Sequence, residues 1–274
     1  MARTRVRIRI SSLLPVLALS TALALVTGCG GDTGSSDDGS GARPQGGKPV
    51  VVVTTTWEGA FAKAAGAEDI TVIVPPSTHH APDYDPKPSD LAAVAKADFV
   101  LYAPFEPYAA KIKEAAGSRA ELVEVGLDND ADKVRAEVTR LGKLFGTEDA
   151  ATAWKSGFDT EYAKLSTELK SSWPGGKSPN VVAQVFTAWS AKLAGATTVG
   201  TYGPEAVTPA QLADLSKKKP ALVLDNAHMS TGTVLPDSGA TQVKIVNYPG
   251  EDLDLLAVHR AAAAELKKAM GATS

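Results

Sequence analysis

Short apolar runs of β-branched residues alternate with helical patterns, and this alternation restricts the fold more than any other feature of the sequence. In the first half of the chain the runs are "VVVVT" at 50–54, "ITVIV" at 70–74, "DFVLY" at 98–102 and "ELVEV" at 121–125. Runs that are apolar on both faces suit a parallel sheet with helices on each side. The first half therefore predicts a βα lobe.

A second set of strands follows two helical patterns that fill residues 130–172. The longer pattern has about 25 residues and would reach roughly 37 Å as a helix, which is enough to connect two lobes. After a Pro- and Gly-rich break at 174–179, strand-like runs resume, namely "NVVAQVF" at 180–186, "TTVG" at 197–200, "ALVLD" at 221–225 and "VKIVN" at 243–247. We therefore predict an α/β fold with two four-stranded parallel βα lobes, a long bridging helix and a ligand cleft between the lobes.

Helix-capping residues locate two of the connecting helices. Ser89 is expected to cap the helix in "SDLAAVAKA", and Thr208 followed by Pro209 is a typical N-cap and first-turn pair. A closing helix is predicted over about 252–270.

The chain of 274 residues is 44% hydrophobic and 22% charged, which is a globular composition. We predict an N-terminal lobe over 48–128, linking helices over 129–173 and a C-terminal lobe over 174–274.

The N-terminus has the pattern of an export signal. Arg3, Arg5, Arg7 and Arg9 precede an apolar stretch that is too short to span a bilayer and ends in "LVTGC". Cys29 is the single cysteine of the chain, so no intramolecular disulfide can form. "LVTGC" resembles the bacterial lipoprotein signal, in which the cysteine is acylated; the alternative is a buried structural thiol. We expect a signal peptide over 1–28, lipidation at Cys29 and a flexible tether over 29–47.

The charge of the mature chain argues against a nucleic-acid partner. Removal of the four signal arginines leaves 24 basic residues against 31 acidic residues, and a net charge of −7. Because no second long apolar segment follows, we expect the body to be held at the outer face of the cell membrane by lipid only. We also expect a monomer.

Histidine and carboxylate side chains follow several predicted strands, at the edge where parallel sheets bind ligands. The candidates for metal binding are His79, His80, Glu106, Asp225 and His228. Each candidate also has a structural alternative. The two adjacent histidines could lie in a solvated turn, and Glu106 could cap a helix. His228 could form a hydrogen bond to a neighbouring loop, and Asp225 could orient His228 without binding the ion. Imidazole and carboxylate ligands without cysteine indicate Zn²⁺ first and Mn²⁺ second.

A family resemblance rests on a set of motifs spread over residues 48–272. "DYDPKPSDL" followed by "ADFVLY", then "AWSAKLAGATTVGTYGPEAVTPAQLADL", "PALVLDNAH" and "VNYPGEDLDLLAVH", resembles the metal-binding lipoproteins of bacterial ABC importers, the zinc and manganese class of solute-binding proteins. The resemblance implies two lobes bridged by a rigid helix, with the ion between them. In typical members a ligand histidine stands where this chain has Pro82, a second follows the fourth strand, and zinc-specific members often have a histidine-rich loop. Neither of the last two features occurs here.

Three functions are compatible with these features. The first is a lipid-anchored receptor that captures a divalent metal, zinc before manganese, and delivers it to the permease of an ABC importer without catalysis. The second is a receptor of the same fold for a metal chelate or a small organic solute, with Trp57, Tyr84, Trp189 and Tyr202 as binding surface. The third is a metal-dependent hydrolase with Glu106 as its base, although no HExxH or nucleophile-elbow motif is present.

Overall fold

Two four-stranded parallel sheets organise the chain. The computed structural model describes residues 48–78, 81–230 and 232–272, which all fall within one compact unit. The predicted signal peptide, the tether with Cys29, and His79 and His80 lie outside the described residues. The predicted fold class is confirmed, while the exact lobe boundaries stay a prediction. None of the helices in the described ranges combines the length and the apolar character needed to cross a bilayer.

The first lobe is a parallel sheet with strand order β2-β1-β3-β4. Its strands are β1 (Val50–Val53), β2 (Asp69–Val72), β3 (Phe99–Tyr102) and β4 (Glu121–Glu124), and its helices are α1 (Thr56–Ala64), α2 (Pro88–Val94) and α3 (Ala109–Ala116). Val51 and Val53 enter the core on one face of the sheet, whereas Val52 enters the core on the other face. This two-sided burial explains why the strand sequence is apolar without alternation.

The second lobe repeats this topology, with strand order β6-β5-β7-β8. Its strands are β5 (Asn180–Gln184), β6 (Thr197–Tyr202), β7 (Leu222–Asn226) and β8 (Thr241–Ile245), and its helices are α6 (Ala188–Ala194), α7 (Pro209–Lys217) and α8 (Leu255–Ala272). Val181 and Val182 again point into cores on opposite faces of the sheet. In both lobes the first strand in sequence is central, so its carboxyl end lies in the middle of the ligand edge.

Two helices connect the lobes: α4 (Ala131–Phe145) and α5 (Glu148–Ser171). With 24 residues, α5 is about 36 Å long. Its Phe158 packs in the core of the first lobe, and its Leu169 packs in the core of the second. The helix therefore joins both cores, as the length of the sequence pattern predicted. A Cβ at Gly142 of α4 would lie 2.5 Å from the Cβ of Ala151, so α4 and α5 pack in close contact there.

Hydrogen bonds across the gap place the carboxyl edges of the two sheets opposite each other. The Thr56 hydroxyl donates to the carbonyl oxygen of Pro249 at 2.8 Å, and the Asn129 side-chain amide donates to the carbonyl oxygen of Asn247 at 2.9 Å. Leu255, at the start of α8, packs in the core of the first lobe. The loops that follow β1, β4 and β8 are thereby held against one another.

Candidate functional site

Glu106 lies in the turn after β3 and is 6% exposed. The backbone amide of Ala103 donates to its Oε2 at 3.1 Å, and the Tyr108 hydroxyl donates to its Oε1 at 3.2 Å. The carboxylate therefore organises its own turn. It does not cap α3 as the helix-cap alternative predicted, because the N-cap of that helix is Tyr108 and no side chain bonds to its first turn. Burial does not prevent a further role, because a carboxylate oxygen can accept more than one bond.

Glu58, in the first turn of α1, places a second buried carboxylate close to Glu106. Glu58 is fully buried, and its Oε2 accepts bonds from the amide and the hydroxyl of Thr55 in a capping box. Its Oε1 has no hydrogen-bond partner among the described residues. The two carboxylates approach because β1 and β3 are neighbours, with the Thr54 amide bonded to the carbonyl oxygen of Leu101 at 3.1 Å.

Burial raises the pKa of both carboxyl groups, and the charge of Glu58 raises that of Glu106 further. Desolvation is the largest cause for Glu58. For Glu106 the largest cause is desolvation and the second is the charge of Glu58, and the pKa is raised to about 8. Interactions with Thr54, Ala103 and Tyr108 lower this pKa, but by less. The Thr54 hydroxyl lies near both carboxyl groups and lowers the pKa of each, but it is not within hydrogen-bond geometry of either. Neither carboxylate forms an ion pair within the described ranges.

Tyr248, in the loop after β8, connects this carboxylate pair to the second lobe. Its ring centroid lies 4.9 Å from that of Trp57 and 4.9 Å from that of His228, with edge-on geometry in both cases. Burial is the largest cause of the raised pKa of the Tyr248 hydroxyl, and the charges of Glu58 and Glu106 raise this pKa further. The carboxylates of the first lobe and the imidazole of the second lobe therefore lie near the same tyrosine.

His228 lies at the rim of the gap, in the turn after β7. Its backbone amide donates to Oδ1 of Asn226 at 3.0 Å, which fixes the turn. Although the residue is exposed on one side, partial desolvation lowers the pKa of its ring. The ring is therefore neutral at pH 7, which is the form that binds metal ions.

Asp225 is buried at the end of β7, and both of its carboxylate oxygens accept hydrogen bonds. The Tyr202 hydroxyl donates to Oδ1 at 2.6 Å, and the Gln242 amide donates to Oδ2 at 2.9 Å. The side chain next to it, Asn226, is the one that bonds the His228 backbone. In this structure Asp225 thus connects β7 to β6 and β8, and its role as a ligand stays a prediction.

The structure brings some of the predicted ligands to one region and leaves others undescribed. Glu106 and His228 lie on either side of the gap near Tyr248. His79 and His80 lie outside the described residues, between β2 and the short 3-10 helix Ala81–Asp83. Within the described ranges no group of three or more His, Cys, Asp or Glu residues is arranged to hold a metal ion.

The five candidates from the sequence did not include Glu58 or Tyr248. The capping-box spacing of Thr55 and Glu58 was the signal available for Glu58, and the position after the eighth strand was the signal for Tyr248. His259 is a structural histidine: it is fully buried, and its ring nitrogens face the carbonyl oxygens of Leu255 at 3.1 Å and Asn129 at 3.0 Å. Burial lowers its pKa.

A family model matches part of the first half of the chain. Residues 51–139 match the model described as zinc-uptake complex component A, periplasmic. This segment contains the first lobe after its opening residues and part of α4. No protein with a curated description matches the chain.

Solved structures with the same fold include several metal-binding proteins. The laminin-binding protein Lmb of Streptococcus agalactiae, described as bifunctional with adhesin and metal transporting activity, has a TM-score of 0.61 at 17% identity, covering 81% of this chain and 99% of that chain. FpvC of Pseudomonas aeruginosa in complex with Mn²⁺ has a TM-score of 0.61 at 13% identity, covering 83% and 100%. A zinc-bound ZnuA deletion mutant has a TM-score of 0.56 at 18% identity, covering 80% and 96%.

At these identities the structural likeness establishes the fold. The resemblance predicted from the sequence motifs is confirmed by the family model over residues 51–139 and by the shared two-lobe architecture. These three fold neighbours are proteins that bind or transport metal ions.

Proposed function

We propose, from the periplasmic zinc-uptake family match over residues 51–139 and the two-lobe fold, that this protein is an extracytoplasmic receptor for a divalent transition metal. The metal is the cargo, with zinc favoured and manganese second. The receptor is anchored by lipid at Cys29 to the outer face of the cell membrane and delivers the ion to the permease of an ABC importer. It performs no catalysis.

The arrangement of side chains around Tyr248 carries this proposal. A buried carboxylate of the first lobe, Glu106, and a neutral imidazole of the second lobe, His228, lie near the same ring. Carboxylate oxygen and imidazole nitrogen are both good ligands for zinc. The gap between the lobes is also the place where a ligand can be enclosed by, and released from, two rigid bodies.

His79 or His80 would complete the ligand set from the loop after β2. The other proposed ligands are Glu106 and His228, with Asp225 as the fourth protein donor. Four such donors close a tetrahedral zinc site. Both Asp225 oxygens already accept one hydrogen bond each in this structure, so coordination would use the second lone pair of one of them, as for Glu106. Without Asp225, water or Glu58 would have to supply the fourth donor.

The metal proposal is tested by calorimetric titration of the chelator-treated protein with Zn²⁺ and then Mn²⁺. We expect one ion per chain, and tighter binding of zinc. The His228→Ala and Glu106→Gln substitutions should each weaken binding strongly, because each removes one of about four ligands. Two exposed residues serve as matched controls: Met229→Ala, next to His228, and Glu205→Gln, a glutamate of the second lobe.

Two outcomes would contradict the proposal. One is a protein that binds neither ion, and the other is unchanged affinity in both ligand variants. Stoichiometric metal that a chelator removes would exclude the alternative of a receptor for organic solutes only. Hydrolytic turnover that disappears in the His228→Ala variant would instead favour the metal-dependent hydrolase.

A further inference from the structure

The imidazole of His228 has no hydrogen bond that fixes its orientation. Neither of its ring nitrogens has a hydrogen-bond partner among the described residues, since the bond to Asn226 holds the His228 backbone amide only. Histidines that bind metal ions almost always have their second ring nitrogen bonded to a neighbouring group, which holds the ring in one orientation. His228 therefore needs a different contact to hold its ring at the gap between the lobes.

Asp225, the nearest carboxylate in sequence, does not supply that contact. Its Oδ1 accepts the Tyr202 hydroxyl and its Oδ2 accepts the Gln242 amide, and no bond joins it to the His228 ring. The two bonds direct the carboxylate towards β6 and β8. The orientation of the imidazole is therefore left to another side chain.

Tyr248 packs its ring against the imidazole. The two ring centroids lie 4.9 Å apart and the ring planes are inclined by 75°, which is the edge-on arrangement that aromatic rings prefer. Among the described residues no other aromatic ring contacts His228. The same tyrosine ring contacts Trp57 at 4.9 Å and 68°, so it touches one ring from each lobe.

The backbone on both sides of Tyr248 is bonded to the first lobe, although Tyr248 itself follows a strand of the second. The carbonyl oxygen of Asn247 accepts the Asn129 side-chain amide at 2.9 Å, and the carbonyl oxygen of Pro249 accepts the Thr56 hydroxyl at 2.8 Å. Asn247 and Pro249 are both buried. The position of the Tyr248 ring is therefore fixed by two hydrogen bonds that cross the gap.

Tyr248 also lies close to the proposed ligand of the first lobe. The charges of Glu58 and Glu106 both raise the pKa of its hydroxyl. The residue is 36% exposed, so its ring fills less of the core than the rings of buried residues such as Trp57 and Trp189 do. A ring in this place contacts one proposed ligand, His228, and adjoins the other, Glu106.

We propose that Tyr248 is a positioning residue for the metal site: its ring, fixed to the first lobe through Asn247 and Pro249, packs against the His228 imidazole and holds it in the orientation that binds the ion. This inference rests on the proposed metal function. It adds to that function a residue that acts through His228 and does not itself bind the ion.

The first test uses the metal-free protein, with ¹³C-labelled histidine and chelator. The chain has four histidines, whose ring C–H signals are assigned by single His→Gln substitutions. Tyr248→Leu keeps an apolar side chain but removes the aromatic ring, so we expect the His228 signals to move and ¹³C relaxation to show faster ring motion. Tyr248→Phe keeps the ring and should leave the signals and the relaxation near those of the wild-type protein.

His259 serves as an internal control for the fold. Its buried ring packs against Phe158, Tyr162 and Trp189, and has no contact with Tyr248. Its signals should therefore stay in place in both Tyr248 variants. The positioning role is overturned if the His228 signals and ring motion in Tyr248→Leu match those of the wild-type protein.

The second test measures Zn²⁺ affinity by calorimetric titration of the chelator-treated protein. Tyr248→Leu should weaken binding about fivefold, the factor that corresponds to the loss of one aromatic pair, and Tyr248→Phe should retain the wild-type affinity. Phe186→Leu is the matched control, because it removes a ring of the second lobe that is 50% exposed and has no aromatic contact with His228. It should leave the affinity unchanged.

A combination with His228→Ala decides whether Tyr248 acts through the imidazole. In the His228→Ala protein, Tyr248→Leu should cost no further affinity, since the ligand that it positions is gone. An equal loss with and without His228 would mean that the tyrosine acts by another route, and would overturn the proposal.

The titrations separate failure of this inference from failure of the metal function. A wild-type protein that binds neither Zn²⁺ nor Mn²⁺ refutes the metal function and the positioning role with it. Wild-type binding together with Tyr248→Leu binding within about twofold of it refutes the positioning role alone. The same holds if Tyr248→Phe loses as much affinity as Tyr248→Leu, because the ring would then not be the group that matters.

Discussion

The buried carboxyl of Glu106 predicts that stability of the metal-free protein falls as the pH rises. Its pKa is 4.5 when unperturbed and about 8 in the folded protein. Between these values the native state holds a proton that the unfolded state has released, so folding is favoured at the lower pH. This stability is fully present below the unfolded pKa and is lost as the pH rises through the folded pKa. The raised pKa of Glu58 acts in the same direction.

The size of the effect follows from the pKa difference. Each pKa unit corresponds to about 1.4 kcal/mol, so a shift from 4.5 to about 8 is equivalent to at most about 5 kcal/mol for Glu106. Glu106→Gln removes this titration while keeping an acceptor for the Ala103 amide and an NH₂ group that the Tyr108 hydroxyl can accept from. The variant should therefore be more stable than the wild-type protein at pH 8, and should lose that advantage towards pH 5.

The assay is urea unfolding at several pH values from 5 to 8 in the presence of chelator. The quantity to compare is the unfolding free energy of Glu106→Gln minus that of the wild-type protein. His228 and His259 have lowered pKa values, which favour unfolding at acid pH. Both proteins contain these histidines, so their effect cancels in the difference. Glu205→Gln is the exposed control and should give a flat difference. If the Glu106→Gln difference also stays flat within about 0.5 kcal/mol, the reasoning on the buried carboxyl pair is wrong.

Three further predictions concern packing and anchoring. Phe158→Ala should lower the unfolding free energy by about 3–5 kcal/mol in urea, because the ring is fully buried; a loss below about 1 kcal/mol would contradict its place in the core. Gly142→Val should lower the melting temperature, since its Cβ would lie 2.5 Å from that of Ala151, whereas Gly157→Ala, with open space around it, should raise or preserve it. Cys29→Ser should move the expressed protein from the membrane fraction to the soluble fraction, and continued membrane retention would exclude the proposed lipid anchor.

The fold could be predicted from the sequence because its main determinants are local and repeated. Strands covered on both faces need continuous apolar runs, and the central strands β1, β3, β5 and β7 have them, whereas the edge strands β2, β4, β6 and β8 are partly exposed. Eight strand-like runs, four on each side of a long helical segment, leave few alternatives to two parallel lobes. The length of the α5 pattern predicted its contacts with both cores, as seen for Phe158 and Leu169.

Helix starts show where local reasoning succeeds and where it fails. The Thr208–Pro209 pair caps α7 as predicted. The prediction that Ser89 caps α2 is wrong, because the helix begins at Pro88 and its N-cap is Lys87. Proline is favoured in the first helical turn, and the Asp90 carboxylate accepts the Lys87 amide at 2.8 Å. That bond moves the helix start two residues earlier than the hydroxyl of Ser89 indicated.

The candidate site was harder to predict, because it depends on contacts between residues that are distant in the chain. The sequence places Glu106 and Asp225 after strands, but only the fold shows that Asp225 is bonded by Tyr202 and Gln242. The burial of Glu58 beside Glu106 likewise follows from the pairing of β1 with β3. Composition and spacing therefore indicate the edge of the sheet, and side-chain geometry decides which groups meet there.

The most direct test of the proposed metal function is to locate the ion. Crystals of the zinc-loaded protein, measured at the zinc absorption edge, give an anomalous map in which the ion is identified by its own scattering. We expect one strong peak between the lobes, about 2.0–2.2 Å from a ring nitrogen of His228 and from an oxygen of Glu106, with His79 or His80 as a further ligand. A map with no peak in the gap, or with its peak at surface residues away from these side chains, would contradict the account.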